Sequence, residues 1–252
     1  MDMQKEIEWL LKEKYFGKKT KGFYEDIKRL TAGEPLDYVI GFTEFLGCKI
    51  DLSKKSFIPR PETEYWVEKA ISEFKNNKKS LKILDIFAGS GCIGVALLFN
   101  VYCATVHFAE KDKKALEQIK INLKLNKIKS NRYKIIQSDV FGSVRGKYDY
   151  IFANPPYAAK TRSDEIEKSV LSFEPHMALF GGNNGFFYIK KFLRGAGEHL
   201  NPGGTIFMEF DPPQKKEIEK LADKYGYVSW GFYKDQHGKS RWIMVKYIKY
   251  GR

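Results

Sequence analysis

Cysteine and histidine are scarce in this chain: three and four residues out of 252. Cys48, Cys92 and Cys103 are odd in number and lack CxxC spacing. Neither a disulfide framework nor a zinc site is expected, and a reducing compartment fits. His107, His176, His199 and His237 are widely scattered with no HExxH arrangement, so no metal is expected. Long apolar runs are also missing, none approaching the roughly 18–20 residues that span a bilayer. The opening MDMQKEIEWLLKEKYFGKK carries acids within its apolar stretch and no signal-peptide cleavage pattern. A cytoplasmic protein without a membrane partner is the expectation. GxSxG, Walker and plausible Cys–His arrangements are absent, which sets aside nucleophile-based schemes. Cys92, at the start of a helix, reads as a small packing residue.

Acidic charge is the other deficit. Asp+Glu number 31 against 44 Lys+Arg, a net charge of +13. The excess suits an anionic partner such as nucleic acid or a ribosome, and equally a lysine-rich proteome, so it decides nothing alone. What the chain does hold is 43% hydrophobic and 15% aromatic residues. That is enough for a packed core and unlike a disordered composition. The length accommodates one large domain, or one with a small appendage.

Residues 1–31 read as two short helices, with Ile7, Leu10 and Leu11 on one face of the first and Phe23, Ile27 and Leu30 on one face of the second. Gly17 and Gly22 bracket a Lys-rich break between them. This piece is too small for a full core and is expected to pack as an appendage. YVIGFTEFLGCKIDL, residues 38–52, is aromatic and β-branched with glycine punctuation and reads as a hairpin. FIPRPETE follows, extended by Pro59 and Pro61, and then helical spacing from Glu62 to Phe74. KNNKKS at 75–80 is the clearest boundary. The division expected is a helical region over 1–35, a hairpin linker over 36–60 and a main domain over 61–252. From Leu81 onward, strands (82–87, 104–109, 133–137, 148–153, 204–210, 228–233, 241–248) alternate with helices (92–100, 112–126, 185–200, 213–225). That alternation predicts a parallel sheet covered on both faces. No helix separates the last two strands, so an antiparallel hairpin should end the sheet.

KILDIFAGSGCIGVALL, residues 82–98, is an apolar strand, a glycine-rich turn and an apolar helix, with Gly89, Gly91 and Gly94 in GxGxxG spacing. Such a turn lets a ligand touch the main chain beside unpaired helix N–H groups. Alone the pattern is weak, since glycine turns between strand and helix are common. Asp85 lies inside the first strand, where a carboxylate is costly unless a ligand or hydrogen bonds satisfy it. Glu110 ends the second strand, where an acid can accept both hydroxyls of a ribose. A nucleoside-bearing cofactor is implied, which suits a dinucleotide enzyme or a methyltransferase. An S-adenosylmethionine site presents an amino acid to this loop, and Asp85 can then face an ammonium. Asp139, just past the third strand, can accept an adenine amino group, or merely cap a turn. Three acids in or after successive strands fit methyl transfer better than hydride transfer.

Asn154-Pro155-Pro156-Tyr157 directly follows the strand YDYIFA. Consecutive prolines fix φ and remove two N–H donors, which frees the carbonyls there to face a substrate. An amide or aromatic amine is a poor nucleophile because its lone pair is delocalised. If the Asn154 oxygen and the Pro155 carbonyl each accept one N–H, the nitrogen is held toward a sulfonium methyl. Transfer then needs alignment and charge complementarity more than a strong base. Tyr157 can stack on the planar group, and an aromatic face favours the positive sulfur.

FIPRPETE, DIFAGSGCIG, NPPY, EPHMALFGG with a following NG, and LNPGG with the acid of FMEF resemble, in that order, the release factor glutamine methyltransferases. The resemblance runs from about Gly33 to the C-terminus. It implies an α/β, Rossmann-like class I methyltransferase fold. The sheet would have seven mostly parallel strands and an antiparallel C-terminal hairpin, joined to a small N-terminal helical region by a β-hairpin. It further implies S-adenosylmethionine as donor and S-adenosylhomocysteine as product. The acceptor would be the glutamine amide in the GGQ motif of a class I peptide chain release factor. Carried over, Asp85, Phe87, Ala88, Gly89, Ser90, Gly91, Glu110, Asp139, Val140 and Asn154 resemble the cofactor site. Asn154 and Pro155 would carry catalysis, and Asn154, Pro155, Pro156 and Tyr157 would bind the glutamine. The chain departs from the family in four places: Phe87 stands where glycine is usual, Glu110 where aspartate is usual, the N-terminal helical part is reduced, and FDPPQ replaces a glycine-containing segment.

A sister family that methylates a glutamine of a large-subunit ribosomal protein shares nearly the same motifs. Adenine amino-methyltransferases of DNA or RNA also use NPPY, although those need a further region to read or flip a base. A non-catalytic binding module sits poorly with Asp85, Glu110 and NPPY together. Lys113, Lys114, Lys120 and Lys124 face away from the apolar stripe of their helix and read as a solvated face. Direct nucleic-acid binding is therefore not expected, ribosome proximity is compatible with the charge, and a monomer is expected.

Overall fold

The computed structural model describes residues 2–74 and 77–246. Its N-terminal part is helical: α1 (Met3–Glu13), α2 (Lys21–Thr31) and α3 (Leu36–Ile40). Asp2 and Thr20 cap the first two by accepting the N–H of Gln4 and Phe23. Leu10, Phe23, Leu30 and Val39 close a small core separate from the main one. Arg29 ties its edge together, donating to both oxygens of Glu34 and to Asp26. The third helix corrects the reading of 38–52 as hairpin throughout. Tyr38 and Val39 turn inward on α3, and the chain leaves it through Gly41 at φ 98. The hairpin proper is β1 (Phe42–Phe45) with β2 (Cys48–Asp51).

After α4 (Pro61–Ser72) come β3 (Leu81–Ile86), α5 (Cys92–Asn100), β4 (Ala104–Glu110), α6 (Lys113–Leu125), β5 (Tyr133–Gln137) and β6 (Tyr148–Ala153). The chain continues through α7 (Lys168–Phe173), α8 (His176–Leu179), α9 (Phe187–Ala196), β7 (Leu200–Glu209), α10 (Lys215–Lys224), β8 (Ser229–Lys234) and β9 (Ser240–Lys246). The sheet runs β5-β4-β3-β6-β7-β9-β8, parallel as far as β7, with β9 antiparallel to both neighbours. This is the expected α/β sheet with its terminal antiparallel hairpin. Six of the seven strands begin within one residue of their expected starts. Residues 247 and 248 of the last expected strand, and 75 and 76 of the KNNKKS boundary, lie outside the described residues.

Two local expectations need correction. The strand expected from 204 begins at Leu200, because Leu200 pairs with Tyr148 before the register shifts and Thr205 pairs with Tyr150. The intervening Asn-Pro-Gly-Gly bulges out instead of forming a separate turn. The helix expected from 185 begins at Phe187 and ends at Ala196.

Alternation along the strands sends side chains to two cores. Ile83, Val106, Phe108, Phe152 and Phe207 face α4, α5, α6 and the β1–β2 hairpin. Leu84, Ile86, Ile151, Ala153, Ile206 and Met208 face α9 and α10. The hairpin edge is closed by amides spaced four apart on α6. Gln118 accepts from the N–H of Lys54, Asn122 from Asp51 and Asn126 from Lys49, which leaves no bare strand edge there. The α6 lysines 113, 114, 120 and 124 are exposed, as expected. No helix among the described residues is long and apolar enough to cross a membrane.

Strand order reverses at β3, with β4 on one side and β6 on the other, all three parallel. The loops after β3, β4, β5 and β6 therefore gather at one end of the sheet, the switch point where open α/β sheets bind ligands. Phe152 anchors that end of β6. It is fully buried between Trp66 (ring centroids 5.9 Å apart) and Phe207 (4.9 Å). Phe152→Ala is expected to lower unfolding free energy by about 3–5 kcal/mol. A loss below 1 kcal/mol in urea unfolding would show that this stack is not what seats β6.

Candidate active site

The loop after β3 is tightly wound. Phe87 (φ 61), Gly89 (φ 55) and Gly91 (φ 79) are all left-handed, and α5 starts directly at Cys92. Phe87 holds a conformation that glycine adopts freely. Its ring is seated edge-on against Tyr188 and Phe192, at 5.8 and 6.2 Å. Asp85 lies beneath the loop, fully buried. Its Oδ2 accepts the N–H of Gly94 at 2.9 Å, and Oδ1 has no protein partner. Burial pushes its carboxyl well above the usual range, against the Gly94 hydrogen bond. Gly94 has no room for a side chain, since a Cβ there would lie 2.2 Å from the Phe108 ring and 2.9 Å from Asp85 Oδ2.

Glu110 is threaded under the same loop. Its Oε2 accepts from Gly89 at 2.9 Å, and Oε1 accepts from the N–H groups of Lys111 (2.6 Å) and Asp112 (2.8 Å). Burial raises its carboxyl above the ordinary value, opposed by those three bonds. Asp139 stands at the rim, with one oxygen on Lys191 (2.9 Å) and the other on Lys111 (3.1 Å). The Lys191 bond first, with Lys111, holds its carboxyl below the usual range. Among the described residues its side chain accepts from these two lysines and from no turn N–H. Val140 beside it is buried with φ 54.

The Asn154–Tyr157 corner is bound from three directions. Asn154 donates through Nδ2 to Thr63 Oγ1 at 3.3 Å. Thr63 donates to Glu209 Oε2 at 2.6 Å, Trp66 Nε1 donates to the same oxygen at 2.7 Å, and the Tyr157 hydroxyl donates to Oε1 at 3.0 Å. Glu209 is 1% exposed. Its burial raises the carboxyl, while these donors and nearby Arg241 pull the other way. The Tyr157 carbonyl accepts from Gln214 Nε2 at 3.0 Å, and Gln214 is itself oriented by accepting from Asp211. The segment 181–185 lies against this backbone so closely that a Cβ on Gly185 would sit 2.2 Å from the Tyr157 carbonyl oxygen. Among the described residues no donor reaches Asn154 Oδ1 or the Pro155 carbonyl.

These parts enclose one cavity of ≈ 1170 Å³, its open mouth included. Phe87, Ala88, Gly89, Ser90, Glu110, Asp139, Val140, Asn154, Pro155, Pro156 and Tyr157 all line it. Asp85 and Gly91 do not line it. Another wall comes from Ser56, from Phe57, Pro59 and Thr63 of FIPRPETE, and from Pro175 with Met177, Ala178 and Leu179. Glu174 joins the two segments, accepting the N–H of Ile58 at 3.1 Å and the Arg60 guanidinium. Ser56 Oγ, buried on this wall, has no protein partner. Cys92 also lines the cavity, and burial pushes its thiol up to about 12, which leaves it unreactive.

Several participants had no role assigned from sequence. Thr63 and Glu209 lie in RPETE and FMEF, segments whose motif character was visible but whose contact spans 146 residues of chain. Gln214 sits in the divergent FDPPQ. Lys111 and Lys191 carry no signal that separates them from other surface lysines.

The methyltransferase small domain family matches residues 69–174. A release factor glutamine methyltransferase of Lactococcus lactis is 35% identical over 247 residues, 95% of this chain and 88% of that protein. Another, from Flavobacterium psychrophilum, is 34% identical over 224 residues, covering 87% and 78%. A methyltransferase structure from Pyrococcus furiosus superposes with a TM-score of 0.61 at 22% identity, covering 81% of this chain and 90% of that one, a likeness of fold.

Gly94→Ala should dislodge the loop. An unfolding free energy lower by at least about 2 kcal/mol is expected, read by thermal melting, and an unshifted melt would mean that Phe108 and Asp85 yield freely.

Proposed function

The chain belongs to the release factor glutamine methyltransferase family, and on that premise we propose how its cavity performs the reaction, methylation of the GGQ glutamine side chain of class I peptide chain release factors. The observation that carries this reading is the meeting of the 87–90 loop, Glu110 and Asn154–Tyr157 on one cavity wall.

The residues fit S-adenosylmethionine. Glu110 and Asp139 supply carboxylate acceptors for hydroxyl and amino groups, and the loop supplies close backbone at Gly89. Lys111, which lines this half, is paired with Asp139. Bound, S-adenosylmethionine supplies an electrophilic methyl on a cationic sulfur. Glu110 would hold the ribose diol, Asp139 and Val140 the adenine, and the 87–91 loop the amino-acid part. Asp85 would act from beneath, with its unpartnered Oδ1 favouring positive charge.

Asn154 Oδ1 and the Pro155 carbonyl would each accept one N–H of the substrate amide and aim its nitrogen at the methyl. Tyr157 and Pro156 would pack on the amide plane. Pinning the NH2 fixes the attack geometry, which for a weak nucleophile is most of the barrier the protein can remove. One amide proton would leave as the N–C bond forms and the methyl–sulfur bond breaks, giving the N-methyl amide and S-adenosylhomocysteine. Neither acceptor is a base, so that proton passes to water.

For the rest of the chain, residues 61–252 form the methyltransferase domain, 36–60 the linker and 1–35 a reduced region for gripping the release factor. It acts as a cytoplasmic monomer near the ribosome, without binding nucleic acid directly.

Asn154→Ala should cut methyl transfer by at least about 100-fold while S-adenosylhomocysteine still binds. Full activity in that variant removes Asn154 from the site. Glu110→Ala should weaken cofactor binding roughly 10-fold to 100-fold by calorimetry, and an unchanged affinity contradicts the ribose assignment. Labelled cofactor offered with release factor, ribosomal subunits and DNA should mark only release factor, and the label should vanish when its GGQ glutamine is replaced. Label on the ribosome or DNA would redirect the assignment.

A further inference from the structure

The hydrogen bonds around Asn154 have a direction, and we infer that Thr63 and Glu209 are positioning residues that set it, so that the corner selects an amide over a carboxylate. This rests on the proposal that Asn154 and Pro155 accept the substrate NH2. Three donors converge on Glu209: the Thr63 hydroxyl and Trp66 indole on Oε2, and the Tyr157 hydroxyl on Oε1. The indole can only donate, and an ionised carboxylate can only accept. With its proton committed to Glu209 at 2.6 Å, the Thr63 oxygen has only lone pairs for its other neighbour. That neighbour is Asn154 Nδ2, at 3.3 Å.

A side-chain amide is nearly symmetric in shape, so its partners decide which end points where. A Thr63 lone pair accepts the NH2 of Asn154 and repels its oxygen. Oδ1 is therefore the end left for a ligand of the cavity that Asn154 lines. The Pro155 carbonyl is the second free acceptor. Two acceptors match the two N–H groups of glutamine and oppose the oxygens of glutamate. Were Asn154 free to turn over, its NH2 would face the ligand, and that distinction would fade. Trp66 and Thr63 lie one turn apart on α4, so the helix that carries RPETE presents both donors to a strand end far along the chain.

Thr63→Val keeps the shape and removes the hydroxyl, while Thr63→Ser restores it. The probe is release factor bearing either the GGQ glutamine or glutamate in its place, titrated calorimetrically into protein saturated with S-adenosylhomocysteine. Methylation of the glutamine form is followed in parallel. Wild-type protein should prefer the glutamine form by about tenfold or more. Thr63→Val should reduce that preference to about threefold or less and lower kcat about tenfold, with S-adenosylhomocysteine affinity unchanged. Thr63→Ser should recover both quantities. A Thr63→Val protein that keeps preference and rate overturns the inference, as does one that loses affinity for both forms by the same factor, the mark of a merely structural role. Equal binding of both forms by wild-type protein overturns it together with the assignment of Asn154, whereas a wild-type preference that survives Thr63→Val overturns it alone.

Discussion

A carboxylate that is 1% exposed at the end of a central strand must be fully hydrogen-bonded or it costs several kcal/mol. Glu209 meets that requirement with donors from two distant pieces of chain: Thr63 and Trp66 on α4, and Tyr157 just beyond β6. Satisfying one acid therefore fixes α4, the end of β7 and the Asn-Pro-Pro-Tyr corner relative to one another. Gln214 repeats the device a few residues later, binding the carbonyls of Tyr157 and Gly185. The corner is thus held by polar groups on one side and by the Trp66–Phe152–Phe207 stack below.

Around that fixed point the sheet topology does the rest. Strand order reverses beside β3, so the loops after four parallel strands converge there. Acids belong at such a place only when they have partners. Asp85 and Glu110 are partnered by backbone N–H groups of the loop they support, and Asp139 by two lysines. Each arrangement leaves acceptor capacity over, and this capacity is what a hydroxyl-rich and amine-bearing cofactor would use. Phe87 shows how a departure from the family is absorbed. Its left-handed backbone is one that glycine would adopt without strain, and two aromatic contacts hold the larger side chain clear of the turn.

The outer wall is assembled from segments with little secondary structure of their own. FIPRPETE and the stretch around α8 are joined through Glu174, which takes both the Ile58 N–H and the Arg60 guanidinium. Beyond it, the β1–β2 hairpin is stitched to α6 by Gln118, Asn122 and Asn126. The N-terminal helices reach the cavity wall through this hairpin, through the Tyr38 hydroxyl on the Ser56 carbonyl and through the ion pair of Glu34 with Lys55. A partner gripped by those helices would be presented to the site through the same few contacts.

The sequence by itself determined the alternation of strands and helices, the glycine turn, the three acids and the Asn-Pro-Pro-Tyr corner. All of these are written in local periodicity or in short motifs, whose physics operates within a few residues. It misjudged residues 38–40, where Tyr38 and Val39 suit a strand by propensity but are claimed from a helix, Val39 by the small helical core and Tyr38 by the main one. It also missed the early start of β7, since a bulge is decided by register with a neighbouring strand. Only the tertiary structure decided that Asp85 lies behind the loop and that Lys111 and Lys191 take up Asp139. It alone decided that the amide of Asn154 is turned by a threonine 91 residues away. Those outcomes depend on directions of hydrogen bonds between segments remote in sequence, and no local pattern of residues encodes a direction.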